Sequence, residues 1–318
     1  MTAQACNTDV KLRVLIGPFL LLLGAPFFFI GGPGSYGTRS FIALWNLGHV
    51  LFFFLTSWLL CKLIRCRFEG LSVLGAQGLV FLLVFVLGVA VEGLQMLCDG
   101  RSPDPHDILR NQIGCLITLA FFASGKEQLR RKFLLKFQIL VTILVLLVMF
   151  PFGKAVVDEC IALSQFPVLS DFETPFEVDR WKEDALLTLS EDVARHGHHS
   201  IKVQLTTDTY SGVGLTYFPK KWSNYGSLYV SVFLPDEGQL ELVCRVHDSD
   251  HNHEYTDRFN QRYLLHKGWN DLVIPLKEIE KAPEKRLLNM NKIEKLILFV
   301  TRQDKKKIIY IDHVYLGE

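Results

Sequence analysis

Cysteine chemistry is thin in this chain: seven cysteines lie scattered at positions 6, 61, 66, 98, 115, 160 and 244, with no CxxC pair. That excludes a disulfide framework and a thiolate zinc ribbon, and it leaves the C-terminal half, which holds only Cys160 and Cys244, to be stabilised by its core. Also missing are a glycine-rich phosphate loop, an HExxH pair and a nucleophile motif, so no familiar hydrolase or nucleotide-binding chemistry is announced. Charge of one sign is not in excess, with 34 Lys and Arg against 33 Asp and Glu. No basic stripe runs along the sequence, which argues against nucleic acid as a partner.

Apolar runs, by contrast, are abundant, and they are confined to one half. Residues 1–153 contain five: Val14–Ile30, Phe41–Cys61, Leu71–Leu97, Ile108–Ser124 and Phe133–Phe152. Each is close to the roughly 17 to 25 residues that a helix needs to cross about 30 Å of hydrocarbon. The expectation is a membrane α-helical bundle of five transmembrane helices, embedded in a lipid bilayer as a multi-pass protein of the cell membrane. The first run is preceded by Lys11 and Arg13, but no convincing small-residue cleavage site follows it, and we read it as a retained helix.

Lys and Arg accumulate in cytoplasmic loops. Lys11 and Arg13, then Lys62, Arg65 and Arg67, then Lys126, Arg130, Arg131 and Lys132 alternate with loops holding only Arg39 and Arg101. This bias places the N-terminus in the cytoplasm and everything after the fifth run outside.

Between the third and fourth runs the sequence VEGLQMLCDGRSPDPHDILRNQIG gathers polar residues where apolar ones are cheaper. A carboxylate in a membrane span costs a few kcal/mol or more and is usually retained for a pathway, a site or a partner. Glu92 and Gln95 share one helix face by their i, i+3 spacing, and Asp107, Asn111 and Gly114 share a face of the next helix by i, i+4, i+7. His49, roughly 12 Å into the second run at 1.5 Å per residue, lies at comparable depth. The membrane polar cluster is therefore His49, Glu92, Gln95, Arg101, Asp107 and Asn111, with Glu92, His49 and Asp107 the candidates for proton transfer. A head-group site is the second reading. The third is structural: Asp107 caps its helix, and Glu92 pairs with Arg101 or Arg110.

The pattern Glu92-x-x-Gln95, Arg101, Asp107-x-x-x-Asn111-x-x-Gly114 resembles the signature of the VanZ-like family of small bacterial membrane proteins, whose namesake is associated with resistance to glycopeptide antibiotics. That resemblance covers residues 1–153. Where the family often carries Asp-Lys shortly before a His, this chain has Trp45-Asn46-Leu47-Gly48-His49.

After a linker expected over 154–169, the pattern changes to short alternating runs. Ser200–Leu205, Gly212–Phe218, Ser227–Leu234, Glu241–Val246, Asp257–Leu264, Asn270–Pro275, Lys295–Val300 and Ile308–Leu316 read as strands, with a short helix over Leu276–Lys281. Eight strands at close intervals predict an all-β jelly-roll sandwich over 170–318.

Asp171-Phe172-Glu173, the segment 197–202, Trp222 with Tyr225, the run 245–260, Gly268-Trp269-Asn270 and Tyr310-Ile311-Asp312 resemble a galactose-binding-like sandwich of the carbohydrate-binding-module type. The resemblance implies a carbohydrate or glycolipid ligand and a structural calcium ion held by Glu173 and Asp312. The residues alone allow the same ligand class, since sugars are bound by flat aromatic faces and by side chains that bond hydroxyls in pairs. Trp181, Tyr210, Tyr217 and Tyr263 add to the supply of aromatics, and the ligand-binding candidates are Trp222, Tyr225, Arg245, Asp248, His251, Tyr255, Arg258 and Asn260. His247, Asp248, Asp250, His251 and His253 also crowd into seven residues, as a metal site or as a solvated loop. Read together, the two halves predict a membrane protein that binds envelope glycans or glycolipids at the outer face. The rival readings are a membrane-embedded enzyme and a protein-protein adaptor.

Overall fold

The computed structural model describes residues 18–19, 21–30, 32, 37–68, 70–98, 104–123, 131–183 and 185–318. The chain divides into two compact units, 1–153 and 154–318.

In the first unit, helix α1 spans Arg39–Arg67, α2 spans Val73–Gln95 and α3 spans Pro105–Ile117; α4 begins at Arg131 and runs to Gln165. Their starts are written in the sequence. Thr38 and Ser72 turn side-chain oxygens onto the N–H groups of Phe41 and Gly75, and Asp104 accepts from His106 N at 2.9 Å ahead of Pro105. Such caps satisfy backbone donors that the first helical turn leaves free. The cap of α3 is thus Asp104 and not Asp107, which sits inside the first turn.

Among the described residues three helices, α1, α2 and α4, are long and apolar enough to cross a membrane. The expected fourth span is α3 continued by a π-helical turn over Thr118–Phe122, and it buries Asn111, Gln112 and Thr118. The start of the first run lies outside the described residues, as does Arg101; the described part of that run closes in a 3₁₀ turn over Ala25–Phe28. Leucines and phenylalanines such as Leu82, Leu146 and Phe150 face outward, while Phe53, Val80, Val84 and Cys115 form the interior.

The segment expected as a linker is ordered secondary structure. Helix α4 continues through it to Gln165, and strand β1 follows at Val168–Ser170. Asp158 explains why: its carboxylate takes the Nε of Arg180 at 3.0 Å, and both side chains are essentially without solvent exposure. A buried ion pair loses several kcal/mol when one partner is removed, so the last turns of α4 belong to the second unit.

That unit is a β-sandwich. Strands β2 (Trp181–Glu183), β3 (Leu186–Ser190), β4 (Ser200–Leu205), β5 (Tyr210–Leu215), β6 (Ser227–Asp248), β7 (Phe259–Pro275), β8 (Ile293–Thr301) and β9 (Lys307–Gly317) join β1, and helix α5 covers Leu276–Lys281. The order is β2-β5-β8-β6-β9-β4-β3, with β7 on β6 and β1 on β9. Two pairs of expected strands are in fact continuous. Pro235-Asp236-Glu237-Gly238 reads as a turn, yet β6 passes through it with a register shift between Leu234 and Gln239, and Gly238 takes the left-handed φ of +107° that a bulge requires. Strand β7 bends likewise at Gly268, φ +93°, where Asn270 Nδ2 donates to the carbonyls of His266 and Gly268. The long β6–β7 hairpin therefore serves both layers. Its first part pairs with β9, its second with β8, and Leu228, Val232, Leu242, Val246 and Ile274 are wholly buried between them.

Candidate functional site

The cleft of the second unit is built by strand alternation. Lys182 opposes Gly214, Gly214 opposes Ile297, Ile297 opposes Arg245, and Arg245 opposes Asn260. This row crosses five strands, and residues two along share its face. The neighbours on that face are Gly212, Phe299, Lys295, His247 and Arg258, while the intervening Val213, Leu215, Cys244, Leu296 and Leu298 go to the core. The outcome is an open cleft of about 460 Å³ lined by Lys182, Tyr210, Gly212, Gly214, Arg245, Arg258, Lys295, Ile297 and Phe299. Four of these are cations, and no carboxylate lines the cleft among the described residues.

Glycine forms the floor for a steric reason. A Cβ on Gly212 would stand 2.2 Å from the Leu298 carbonyl oxygen, and one on Gly214 would stand 2.6 Å from Lys295 Cε. The walls carry aromatic and polar groups. Tyr210, 63% exposed, tilts against Phe299, and Tyr255, 68% exposed, lies under the Arg258 guanidinium at 5.1 Å. Arg258 Nε, His247 Nδ1 and both amide atoms of Asn260 are buried without a partner among the described residues. Buried polar groups are ordinarily satisfied, so such a cluster marks what the face offers to an incoming molecule. Burial, followed by Arg245, His251 and Lys295, pushes the His247 imidazole down to about 3, keeping it neutral. Burial also lowers Arg258.

Of the residues expected to bind ligand, Arg245 and Arg258 line the cleft, Asn260 closes its row, and Tyr255 reaches it through Arg258. His251 supports it: Nδ1 donates to the Asp257 carbonyl at 2.8 Å, and Nε2 accepts from Arg245 Nη2 at 3.2 Å. The others belong elsewhere. Trp222 is fully buried in the core beside Phe218, its Nε1 donating to the Pro219 carbonyl. Tyr225 is half-buried against Phe166. Asp248 is wholly buried and held by both guanidinium ends of Arg286, at 2.6 and 2.7 Å.

Arg286 also takes Asp257 and thereby ties down the loop between β6 and β7. Burial raises the Asp248 carboxyl, but Arg286 and the Asn289 N–H outweigh it and hold it below the usual range; Arg286 holds Asp257 well below. Within the histidine-rich run, Asp248 and His251 are thus already engaged, by Arg286 and by Asp257 with Arg245. Lys182, Lys295, Phe299 and the two floor glycines are not singled out in the sequence, where their signal is alternation across paired strands; Arg286 lies outside the strands, between α5 and β8, and carries no such signal.

Glu173 and Asp312 do not fit a calcium ion. Glu173 Oε1 accepts the N–H groups of His198 and His199 at 2.6 and 2.7 Å. Asp312 Oδ2 accepts those of Arg195 and His196 at 2.5 and 2.9 Å, and its Oδ1 takes His313 N. Calcium asks for six to eight oxygen ligands, whereas amide donors face these carboxylates. The two anchor the segment 195–199 themselves. For Glu173, burial is outweighed by the N–H donors and its carboxyl stays low, whereas burial pushes Asp312 up.

In the first unit His49, Glu92, Asp107 and Asn111 come together, whereas Gln95 turns to another partner and Arg101 lies outside the described residues. His49 Nδ1 bonds Asn111 Oδ1 at 3.0 Å, and its Nε2 stands 3.2 Å from Asp107 Oδ2. Gln95 Nε2 donates to the Phe28 carbonyl at 2.8 Å, and the Phe28 ring packs edge-on to His49. Glu92 accepts the Asp104 N–H at 2.9 Å and Arg110 goes to Asp104 and Asp107, so the expected Glu92–Arg110 pair does not form. Close approach depends on small residues. A Cβ on Gly114 would stand 2.3 Å from the Val50 carbonyl oxygen, and one on Gly88 2.9 Å from Asn111 Nδ2.

No family model matches this chain, and no curated protein matches it. Solved structures similar to it include the family 11 carbohydrate-binding module from Clostridium thermocellum in complex with a β-1,3-1,4-mixed-linked tetrasaccharide, 16% identical, covering 47% of this chain and 94% of that one at a TM-score of 0.37. An exo-β-agarase structure is 15% identical over 47% of this chain and 24% of its own, with a TM-score of 0.40. The N-terminal modules of a Clostridium thermocellum endo-1,4-β-D-xylanase complexed with xylohexaose are 17% identical over 48% of this chain and 28% of theirs, with a TM-score of 0.35.

Proposed function

We propose that the β-sandwich binds an acidic oligosaccharide, one bearing carboxylate or phosphate groups, in the cleft floored by Gly212 and Gly214. The observation that carries this is the company the cleft keeps: four cations, tyrosines at its edge, orphaned amide and guanidinium donors, and no carboxylate among the described lining residues. Aromatic faces meet the C–H surfaces of sugar rings, and arginine bonds carboxylate or phosphate oxygens in pairs. An acidic glycan pairs its own charges with the cations as well as meeting the aromatic edge, whereas a neutral one gains hydrogen bonds from the cations but no ion pair.

The helical unit is, on this reading, a VanZ-like membrane domain that carries the sandwich at the outer face of a cell membrane. Supporting this are three helices of spanning length and the outward-facing leucine and phenylalanine surface. Lys62, Arg65 and Arg67 lie at the end of α1 away from the cluster, as the positive-inside rule asks of a cytoplasmic end. The ligand would then be a glycan or glycolipid of the cell envelope.

Residues 154–318, which keep Asp158 with Arg180, are the piece to titrate calorimetrically with three probes: a uronate oligosaccharide, a glycan carrying poly(glycerol phosphate), and a neutral β-glucan tetrasaccharide. Binding of either acidic probe, weakening as salt rises, supports the reading and tells carboxylate from phosphate. Salt-independent binding of the neutral probe alone overturns the acidic ligand. Failure of all three with folded protein overturns glycan binding.

A further inference from the structure

We propose that His49, Glu92 and Asp107 form a divalent transition-metal site in the helical unit, with zinc the ion that best fits. One donor atom from each of the three lies within 4.8 Å of the other two. The imidazole and one carboxylate are already at the spacing that coordination needs: ligands about 2.1 Å from an ion at a tetrahedral angle stand roughly 3.4 Å apart, and His49 Nε2 and Asp107 Oδ2 are 3.2 Å apart.

The outer partners point the same way. Each of the three side chains is held by a different group through one of its two polar atoms: His49 Nδ1 by Asn111 Oδ1, Asp107 Oδ1 by Arg110, and Glu92 Oε2 by the Asp104 N–H. Metal ligands are commonly oriented in this way by their second bonding atom. Because the Asn111 carbonyl oxygen can only accept, the His49 proton sits on Nδ1 and the Nε2 lone pair is turned toward Asp107. What remains unspent is His49 Nε2, Asp107 Oδ2 and Glu92 Oε1.

Glu92 is the second, independent observation. It is 6% exposed, and its Oε1 is buried with no partner among the described residues. A proton shared between His49 and Asp107 would satisfy that pair and still leave Glu92 Oε1 alone. A single divalent ion serves all three atoms. It also offsets charge, since Glu92, Asp104 and Asp107 are three carboxylates against one described arginine, Arg110. One imidazole nitrogen and two carboxylate oxygens suit zinc, and three protein ligands leave a fourth position open, the pattern of a catalytic rather than a structural zinc.

The test uses the full chain in detergent, stripped with a chelator, reloaded with Zn²⁺ and freed of excess ion. We expect about one zinc per chain by elemental analysis, and visible d–d absorption when Co²⁺ replaces it. Glu92→Gln and His49→Gln should each lose the metal with helical circular dichroism unchanged, and Asn111→Ala should bind it about 10- to 100-fold more weakly. Should His49→Gln fail to fold, the near-isosteric Glu92→Gln decides alone. Zinc held at the wild-type level by Glu92→Gln would overturn the site. So would a folded wild type that retains no zinc, leaving a proton-bridged His49–Asp107 pair.

Discussion

Leu82, Leu146 and Phe150 turn more than half of their surface outward in the helical unit, whereas Leu228, Val232 and Ile274 in the sandwich expose none. The polar groups run the other way. His49, Glu92, Gln95 and Asn111 are buried among helices, while the cations of the sandwich line an open cleft. The helical unit turns apolar side chains outward and folds polar ones inside, and the sandwich does the reverse. On the membrane reading proposed above, the physics is the same in both with the solvent exchanged: the group that is costly in the surrounding medium is the one folded inside.

The comparison breaks most easily where the sandwich buries a charge. Removing the Asp158 carboxylate by Asp158→Ala, or starting the domain at residue 166, takes the nearest carboxylate from the buried Arg180 and leaves only Glu177, at 3.9 Å; this should cost about 3–5 kcal/mol, and thermal melts of residues 154–318 and 166–318, compared side by side, measure it. Next comes the helical packing. Gly114→Val drives a side chain into the Val50 backbone and should destabilise the helical unit by roughly 1–3 kcal/mol or more, read as a lower melting temperature of the full chain in detergent, with the melting of residues 154–318 as the unaffected reference.

Ligand affinity sharpens the contrast between cleft and core. Arg258→Ala should weaken an acidic oligosaccharide about 10- to 100-fold, the size of a lost charge-assisted hydrogen bond. Trp222→Phe should change stability and leave the dissociation constant alone, because that ring is core; calorimetric titration separates the two.

Acid probes the buried groups of the sandwich. The group to watch is His247, whose folded value of about 3 lies below its ordinary 6.5, so the unfolded chain takes up the proton first. Its stabilising contribution is complete above 6.5 and declines, by up to about 1.4 kcal/mol per pH unit, as the pH falls toward 3. Asp248 and Asp257, both held low by Arg286, lose theirs below the ordinary aspartate range, in the same direction. His247→Gln should flatten the upper part of the profile and leave the lower part. The smallest expected effect is from calcium: chelation should leave the melting temperature of residues 154–318 unchanged, and a rise on adding calcium would reverse our assignment of Glu173 and Asp312 as anchors for backbone N–H groups.

Much of this was legible in the sequence. Strands β4, β8 and β9 follow alternation closely, and the helix Leu276–Lys281 lies where it was expected. The spacing of Glu92, Gln95, Asp107, Asn111 and Gly114 anticipated which faces meet, because helical periodicity is a local property of the chain. Bulges hid the continuity of β6 and β7. Pro235 to Gly238 carry turn chemistry, and only the partner strands show that the ladder resumes beyond them.

The sequence by itself determined the division into an apolar helical half and an alternating β half, since composition and period decide which faces can be buried. Tertiary structure alone decided that Trp222 is core, that Asp158 belongs with Arg180, and that Lys182, Gly214, Ile297, Arg245 and Asn260 stand in one row. Those five residues come from five strands well separated along the chain, and strand register, which is set by long-range pairing, is what brings them together.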